Sequence, residues 1–290
     1  MNTITAETKV CVLLGDPVGH SLSPLIHNAA FRELGINAVY LALPVKEKDF
    51  EGAIQGMRAF HFQGASITIP HKVRAVEHMD SLDPVAREIG SINTIVNRNG
   101  KLKGFNSDGM GALKALRDHQ VNLDGKSVLV LGSGGVARAI SFALTMGTRL
   151  TKLCIAGIIK EEVISLVDDL QQATESPVQG ETMEGKALGI EIPGFDIIIN
   201  CTPVGMSPDI NKSPVPDGLL EKNQLVFDVV YNPLQTRLLK EAEWFGCDTI
   251  SGVEMFINQA VVQFELWTGE KAPEEVMRKV VLGHLAAQQS

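Results

Sequence analysis

The chain has 290 residues, with a formal net charge of −8, 44% hydrophobic residues and 21% charged ones. That balance belongs to a globular chain long enough for a pair of ordinary domains. The acidic charge, unbroken by any basic cluster, argues against nucleic acid as a partner, since such binding draws on several Lys or Arg at the phosphates.

No apolar run approaches the roughly 20 residues of a membrane-spanning helix, so no membrane partner is expected. The stretch Met1 to Val10 is polar and does not read as a secretory signal. The four cysteines, Cys11, Cys154, Cys201 and Cys247, form no CxxC pair, and three of them sit in apolar strand-like contexts and read as buried free thiols. A cytoplasmic, reduced protein is expected, and the seven histidines show no metal-ligand spacing.

Val10 to Leu14 reads as a buried strand, followed by a loop through Gly15, Asp16, Pro17 and Gly19. Ser23-Pro24 opens a helix that stops at Gly35. A strand over Val39 to Leu43 and a helix over Glu47 to Arg58 come next, then a strand over Ala65 to Ile69 broken by Pro70, after which a helix begins. Ser91 to Val96 and Lys101 to Phe105 flank Asn97-Arg98-Asn99-Gly100, a hairpin whose Asn-Gly suits positive φ. Such alternation predicts an α/β fold with a largely parallel sheet.

Gly109 to His119 reads as a helix bridging into a second unit, which opens with a strand over Ser127 to Leu131, a glycine-rich turn and another helix. Further strands are expected at Leu153 to Ala156, Asp196 to Asn200 and Leu225 to Val230. Gln171 to Pro193 reads as variable loop plus one edge strand. Glu254 to Gly269 and Pro273 to Gln288 are helical in pattern and are expected to pack back on the first domain. The predicted organisation is 1–108 with 253–290 as one mixed or parallel α/β domain, and 109–252 as a Rossmann-like domain.

Gly132-x-Gly134-x-x-Ala137, between a strand and a helix, has the spacing of a dinucleotide-binding turn. Glycines there let the backbone approach a pyrophosphate, whose charge the helix N-terminus favours. Gly132, Ser133, Gly134, Gly135, Val136 and Ala137 are therefore candidate cofactor residues. The next strand ends in Ala156-Gly157-Ile158, with neither the acidic residue that binds the ribose hydroxyls of NAD nor the Arg that favours NADP. Lys160 reaches a 2'-phosphate or simply opens a solvated helix.

Several segments together resemble the shikimate dehydrogenase family over nearly the whole chain. They are Gly15 through Pro24 with His27-Asn28, Thr68-Ile69-Pro70-His71-Lys72, Ser91-Ile92-Asn93-Thr94 and Gly104 through Gly109. Asn200-Cys201-Thr202-Pro203 with Gly205-Met206, Asp228 through Pro233 and Met255 through Ala260 complete the set. The resemblance implies a substrate domain and a dinucleotide domain, and reversible NADP(H)- or NAD(H)-dependent reduction of 3-dehydroshikimate to shikimate, a step of chorismate and aromatic amino-acid biosynthesis. It implies NADP first and NAD as the alternative, and a monomer or homodimer acting on a small molecule. A quinate or quinate/shikimate dehydrogenase and a non-catalytic sensor of shikimate-like ligands are the other readings.

The resemblance assigns Lys72 and Asp108 to proton transfer, and Ser21, Ser23, Thr68, Asn93, Tyr231 and Gln259 to substrate. Thr202, Val229, Gly252 and Met255 join the glycine turn at the cofactor. In isolation Ser23 reads as a helix cap, Asp108 as a cap for the helix beginning at Gly109, and Lys72 as a cation in the first turn of a helix, opposed by the dipole. Tyr40 reads as a packed aromatic or a substrate contact. The family often has Asn where this chain has Ser66, and an Asn-Arg-Thr-type cluster where it has Ala156-Gly157-Ile158.

Overall fold

The structure, a computed structural model, describes residues 4–183 and 192–287. Two compact units emerge, Met1–Ser107 with Ile257–Ser290, and Asp108–Phe256.

In the first unit, β1 (Lys9–Gly15), β2 (Ala38–Pro44) and β3 (Gly64–Ile67) run parallel, whereas β5 (Thr94–Arg98) is antiparallel to β3 and forms a hairpin with β6 (Lys101–Phe105). With the short β4 (Ser81–Leu82) the sheet has six strands in the order β2-β1-β3-β5-β6-β4. The hairpin turns through Asn99 at φ 53° and Gly100 at φ 83°, the positive φ that Asn-Gly supplies, and the Asn97 side chain accepts from the Gly100 amide.

The helices of this unit are α1 (Ser23–Glu33), α2 (Phe50–Ala59) and the short α3 (Pro84–Ile89). Its core gathers Val12, Leu14, Phe50, Ile54, Met57, Ile67, Ile92, Ile95 and Leu102.

The second unit holds an all-parallel sheet of β7 (Ser127–Leu131), β8 (Lys152–Gly157), β9 (Val178–Thr182), β10 (Ile197–Asn200), β11 (Leu225–Asp228) and β12 (Asp248–Ile250). Its order, β9-β8-β7-β10-β11-β12, reverses direction between β7 and β10. That is the strand order of a dinucleotide-binding fold, in which ligands bind beyond the carboxyl ends of the strands at the reversal. Val128 to Leu131 of β7 and Ile197 to Ile199 of β10 are apolar and buried, as burial on both faces requires. The helices are α4 (Asp108–Asp118), α5 (Gly135–Thr145), α6 (Lys160–Ala173) and α7 (Arg237–Phe245).

Two further helices follow, α8 (Gly252–Thr268) and α9 (Glu274–Ala287), and α9 packs on α1, as the C-terminal pattern implied. Gln288, the expected end of α9, lies outside the described residues. Trp267 of α8 is fully buried, donates from Nε1 to the Ile95 carbonyl at 3.0 Å and accepts at its own carbonyl from Gln63 at 2.5 Å. A Cβ at Gly64 would lie 2.2 Å from the indole, so only glycine lets the ring seat against β3.

Several expectations need correction. The segment after Pro70 is not an α-helix; a turn carries Lys72, and a single 3-10 stretch, Arg74–His78, follows. Ser23 is not the N-cap of α1, which is Leu22; the Ser21 hydroxyl instead accepts from the Ser23 amide at 3.2 Å. The α4 helix starts at Asp108 rather than Gly109, and β11 stops at Asp228 instead of reaching Val230. β9 is the edge strand expected between Gln171 and Pro193, while 184–191 lie outside the described residues. No helix among the described residues is long and apolar enough to cross a membrane.

Trp267→Ala should cost about 3–5 kcal/mol, since it deletes a fully buried ring and strands the Ile95 carbonyl. Urea unfolding measures this; a loss under about 1 kcal/mol would mean α8 is not seated as described.

Candidate active site

In the first unit the candidate residues gather at one edge of the sheet. The Thr68 amide donates to the Leu14 carbonyl at 3.0 Å and the Ile67 amide to the Asn93 carbonyl at 2.8 Å, so the ends of β1 and β3 and the start of β5 lie side by side. A Cβ at Gly15 would fall 2.2 Å from the Thr68 methyl, so glycine there is what admits Thr68. Ser21 is half-buried and Ser23 buried, the first in the loop after β1 and the second opening α1.

Lys72 sits in a turn held on both sides. Its carbonyl accepts from the Ile92 amide at 2.9 Å. The neighbouring His71 is buried, stacks on Phe50 with ring centres 4.2 Å apart and contacts the Val45 carbonyl through Nε2 at 2.7 Å. A carbonyl only accepts, so His71 carries its proton on Nε2. With no α-helix beginning there, the helix dipole does not oppose Lys72.

Asn93 is buried at the head of β5, and its Oδ1 accepts from the Ser107 amide at 2.8 Å and from Thr94 Oγ1 at 2.8 Å. Ser107 precedes Asp108, the buried first residue of α4, so the Asn93 amide fixes the backbone that delivers Asp108. Gln259 is buried on α8, one turn before Gln263, which donates to Thr94 Oγ1 at 3.1 Å.

The second unit presents a phosphate-type cradle at the carboxyl end of β7. Gly132 has φ 109°, and a Cβ there would meet the Cys201 backbone and the Thr202 methyl at 3.2–3.3 Å. Gly134 caps α5 with no side chain bonded to its amides, and a Cβ on it would meet nothing within 4 Å. Open space in front of uncapped helix amides fits a pyrophosphate. Val136 is half-buried and Ala137 buried on the first turn of α5.

Further along, Ser133 donates to the Glu162 carboxylate at 2.9 Å, and a Cβ at Gly157 would lie 2.8 Å from Ser133 Oγ. Ile158 and Ile159 beyond β8 are exposed, with Lys160 the cation nearest in sequence.

Two side chains to which the sequence assigned no individual role organise this edge. Asn200 Oδ1 accepts from Thr202 N at 2.9 Å and Thr202 Oγ1 at 2.6 Å, while its Nδ2 donates to Asp228 Oδ1 at 2.9 Å. Asp228 also accepts from the Val230 amide at 3.1 Å and Thr236 Oγ1 at 2.6 Å. Thr202 and Val229 are thereby held at neighbouring strand ends. Gly252 follows, where a Cβ would strike the Val229 and Val230 carbonyls at 2.5 Å, and Met255 is buried behind it. Tyr231 stacks on Phe256 with centroids 4.4 Å apart. The available signal was a polar pair, Asn200 and Asp228, each ending an apolar run.

The family model described as the shikimate dehydrogenase substrate binding domain matches residues 13–95, and that of the shikimate 5'-dehydrogenase C-terminal domain matches 252–282. A shikimate dehydrogenase (NADP(+)) of Methanopyrus kandleri is 43% identical over 286 residues, covering 98% of this chain and 98% of that protein. One of Methanococcus maripaludis is 40% identical over 279 residues, 96% of this chain and 98% of its own length.

The chain belongs to the shikimate dehydrogenase family. A solved shikimate dehydrogenase in complex with NADP+ superposes with a TM-score of 0.90 at 37% identity, covering 98% of each chain. Against the shikimate dehydrogenase pattern, Ser66 is a departure with a structural partner: it is buried and bonded to Tyr40 and Gln263. Among the described residues no group of three or more His, Cys, Asp or Glu is arranged to hold a metal ion.

Burial pushes the Asp228 carboxyl up to about 6, although Thr236, the Val230 amide and Asn200 all donate to it. The folded chain therefore keeps a proton that the unfolded chain has released, and the stability this group contributes falls as pH rises from about 4 to about 6. Relative to Asp228→Asn, the wild type should lose about 2–3 kcal/mol of stability over that window. Urea titrations at several pH values measure the difference, and parallel curves would show that Asp228 does not titrate there.

Proposed function

We propose that this chain catalyses the reversible, NADP(H)-dependent reduction of 3-dehydroshikimate to shikimate, the first unit binding substrate and the second the dinucleotide. The observation that carries this reading is the shared sheet edge of the first unit, where Thr68, Asn93 and the turn of Lys72 are held by backbone hydrogen bonds beside the Ser21–Ser23 loop. Hydroxyls, amides and one amine are the donors a polyhydroxylated ring acid needs. The family relationship supplies the ring.

Ser21 and Ser23, at the N-terminus of α1, bind the ring carboxylate with neutral donors. Thr68, Asn93, Tyr231 and Gln259 orient the ring hydroxyls. The dinucleotide, when bound, supplies hydride to the ring carbonyl carbon. Lys72 as ammonium gives its proton to the carbonyl oxygen as that oxygen gains charge, leaving a neutral amine and the new hydroxyl. Asp108 holds the Lys72 ammonium and the adjacent hydroxyl. In the oxidation direction the amine takes the hydroxyl proton.

Gly132, Ser133, Gly134, Gly135, Val136 and Ala137 bind the pyrophosphate, and Thr202, Val229, Gly252 and Met255 line the nicotinamide end. NAD(H) is a second reading of the cofactor, favoured by the exposed Ile158 and Ile159 where the family's cationic cluster would stand. The protein is a cytoplasmic monomer or homodimer.

Initial rates with shikimate and quinate, each with NADP and NAD, test the assignment. Turnover should be fastest with shikimate and NADP, and Lys72→Ala should lower kcat by about 100-fold or more with KM for shikimate changed far less. Dominant quinate turnover, or a Lys72→Ala enzyme of wild-type kcat, would overturn it.

A further inference from the structure

Beside the glycine turn, the end of β8 runs through Ala156-Gly157-Ile158-Ile159 into Lys160, Glu161 and Glu162, the first turn of α6. In a dinucleotide-binding fold the pyrophosphate lies on the first strand-to-helix turn, and the adenosine ribose lies towards the end of the next strand. Those positions are here the Gly132–Ala137 turn and the end of β8, on strands paired in parallel. An ionised group fixed between them faces the 2' position, where NADP carries a phosphate and NAD a hydroxyl.

Glu162 is fixed there. Ser133, the residue between Gly132 and Gly134, donates from Oγ to Glu162 Oε2 at 2.9 Å. Helical side chains tilt towards the N-terminus of their helix, so a residue in the first turn of α6 reaches back towards the strand end. Ser133 spends its one hydroxyl proton on this bond, and a carboxylate has lone pairs beyond the one that accepts it. Glu162 is exposed and presents those lone pairs to a ligand.

The same corner has no room for a large cation from the strand. A Cβ at Gly157 would lie 2.8 Å from both Ser133 Oγ and Val163 Cγ2, so the middle of the stretch that replaces the family's Asn-Arg-Thr-type cluster is held to glycine. Arg138, early in α5, is bonded to Asp169 of α6 and lies over the Phe142 ring. From Ala156 to Glu162 the ionisable residues are Lys160, Glu161 and Glu162, one cation against two anions.

We propose, resting on the reading of the second unit as the dinucleotide site, that Glu162 is a cofactor-specificity residue whose carboxylate accepts from the 2'-hydroxyl of the adenosine ribose and opposes a 2'-phosphate. A ribose hydroxyl has a proton to give a carboxylate. A 2'-phosphate dianion has none, so it meets Glu162 acceptor to acceptor and charge to charge. Lys160 attracts the phosphate from the same turn, so NADP(H) binds, but its margin over NAD(H) is narrowed.

The test is kcat/KM for NADP and for NAD, with shikimate, in the wild type and in Glu162→Gln, Glu161→Gln and Gly134→Asp. Glu162→Gln keeps the shape at an exposed position and removes the charge. It should raise the NADP-to-NAD ratio by about tenfold through KM for the cofactors, with kcat and KM for shikimate unchanged. Glu161→Gln removes an equal charge from the next position and should move the ratio by less than about twofold.

A ratio unmoved by Glu162→Gln, or moved as far by Glu161→Gln, would overturn the proposal. Gly134→Asp tests the reading beneath it, by placing a carboxylate in the open space before the α5 amides at a backbone φ of −73° that Asp adopts. It should weaken both cofactors alike, by about tenfold or more. If it does, a failure of Glu162→Gln overturns the specificity role alone. If it weakens neither, the dinucleotide site lies elsewhere and both readings fall.

Discussion

A polar group that is buried at the end of a strand must find its partner within the protein, because leaving it unpaired costs about 1–3 kcal/mol. Both sheets of this chain meet that requirement with side-chain amides at the edge where the candidate site residues gather. In the first, Asn93 closes the head of β5 by accepting from Ser107 and Thr94. In the second, Asn200 and Asp228 end adjacent parallel strands in register and bond each other. Each amide then serves a second purpose. Asn93 fixes the backbone leading to Asp108, and Asn200 holds both the amide and the hydroxyl of Thr202. The geometry of this edge thus follows from the need to satisfy strand ends, and a side chain of different shape at 93 or 200 would displace the backbone leading to Asp108 or the Thr202 turn.

The elements most legible in the sequence were those whose signal is local. Apolar runs such as Ser127–Leu131 and Leu153 to Ala156 lie within β7 and β8, and Asn99-Gly100 turns the hairpin as its φ preference requires. What escaped were elements made by pairing rather than by pattern. β12 is three residues, Asp248–Ile250, and exists because it pairs with β11. β4 has two residues held by β6. α7 is a short amphipathic helix begun by Thr236, whose hydroxyl caps Leu239 while also donating to Asp228. After Pro70 the helix signal misled: His71 is drawn into the core against Phe50 and the Val45 carbonyl, and the chain turns there.

Candidate site residues were legible through resemblance, whereas their supports were not. Gln263 reads in sequence as one polar residue on a mostly apolar helix, at the i+4 position from Gln259. Only the fold reveals that the same helix face carries Gln259 and, a turn along, the amide that bridges Ser66 to β5. Ser66 stands in the sequence as a departure from the family's frequent Asn. In the folded unit it is an exchange of one hydrogen-bonding residue for a smaller one, the remaining span being covered by Tyr40 from β2 and Gln263 from α8.

Recognising an anion without arginine imposes a stricter demand than pairing charges does. A guanidinium donates in every orientation that packing allows it, but a serine hydroxyl rotates and is donor or acceptor according to its neighbours. A neutral cradle is therefore selective only if the hydrogen bonds behind it are oriented. Backbone groups provide the orientation here, since the Ser107 amide and the Asn93 carbonyl cannot exchange roles, and each buried side chain in turn inherits its direction from the one before. Neighbouring rings keep the path dry: His27 stacks on Tyr40 at 4.6 Å, and burial pushes its imidazole down to about 3, so it stays neutral and adds no competing charge. The turn of each amide and hydroxyl along this edge is thus set by backbone groups that have only one role open to them.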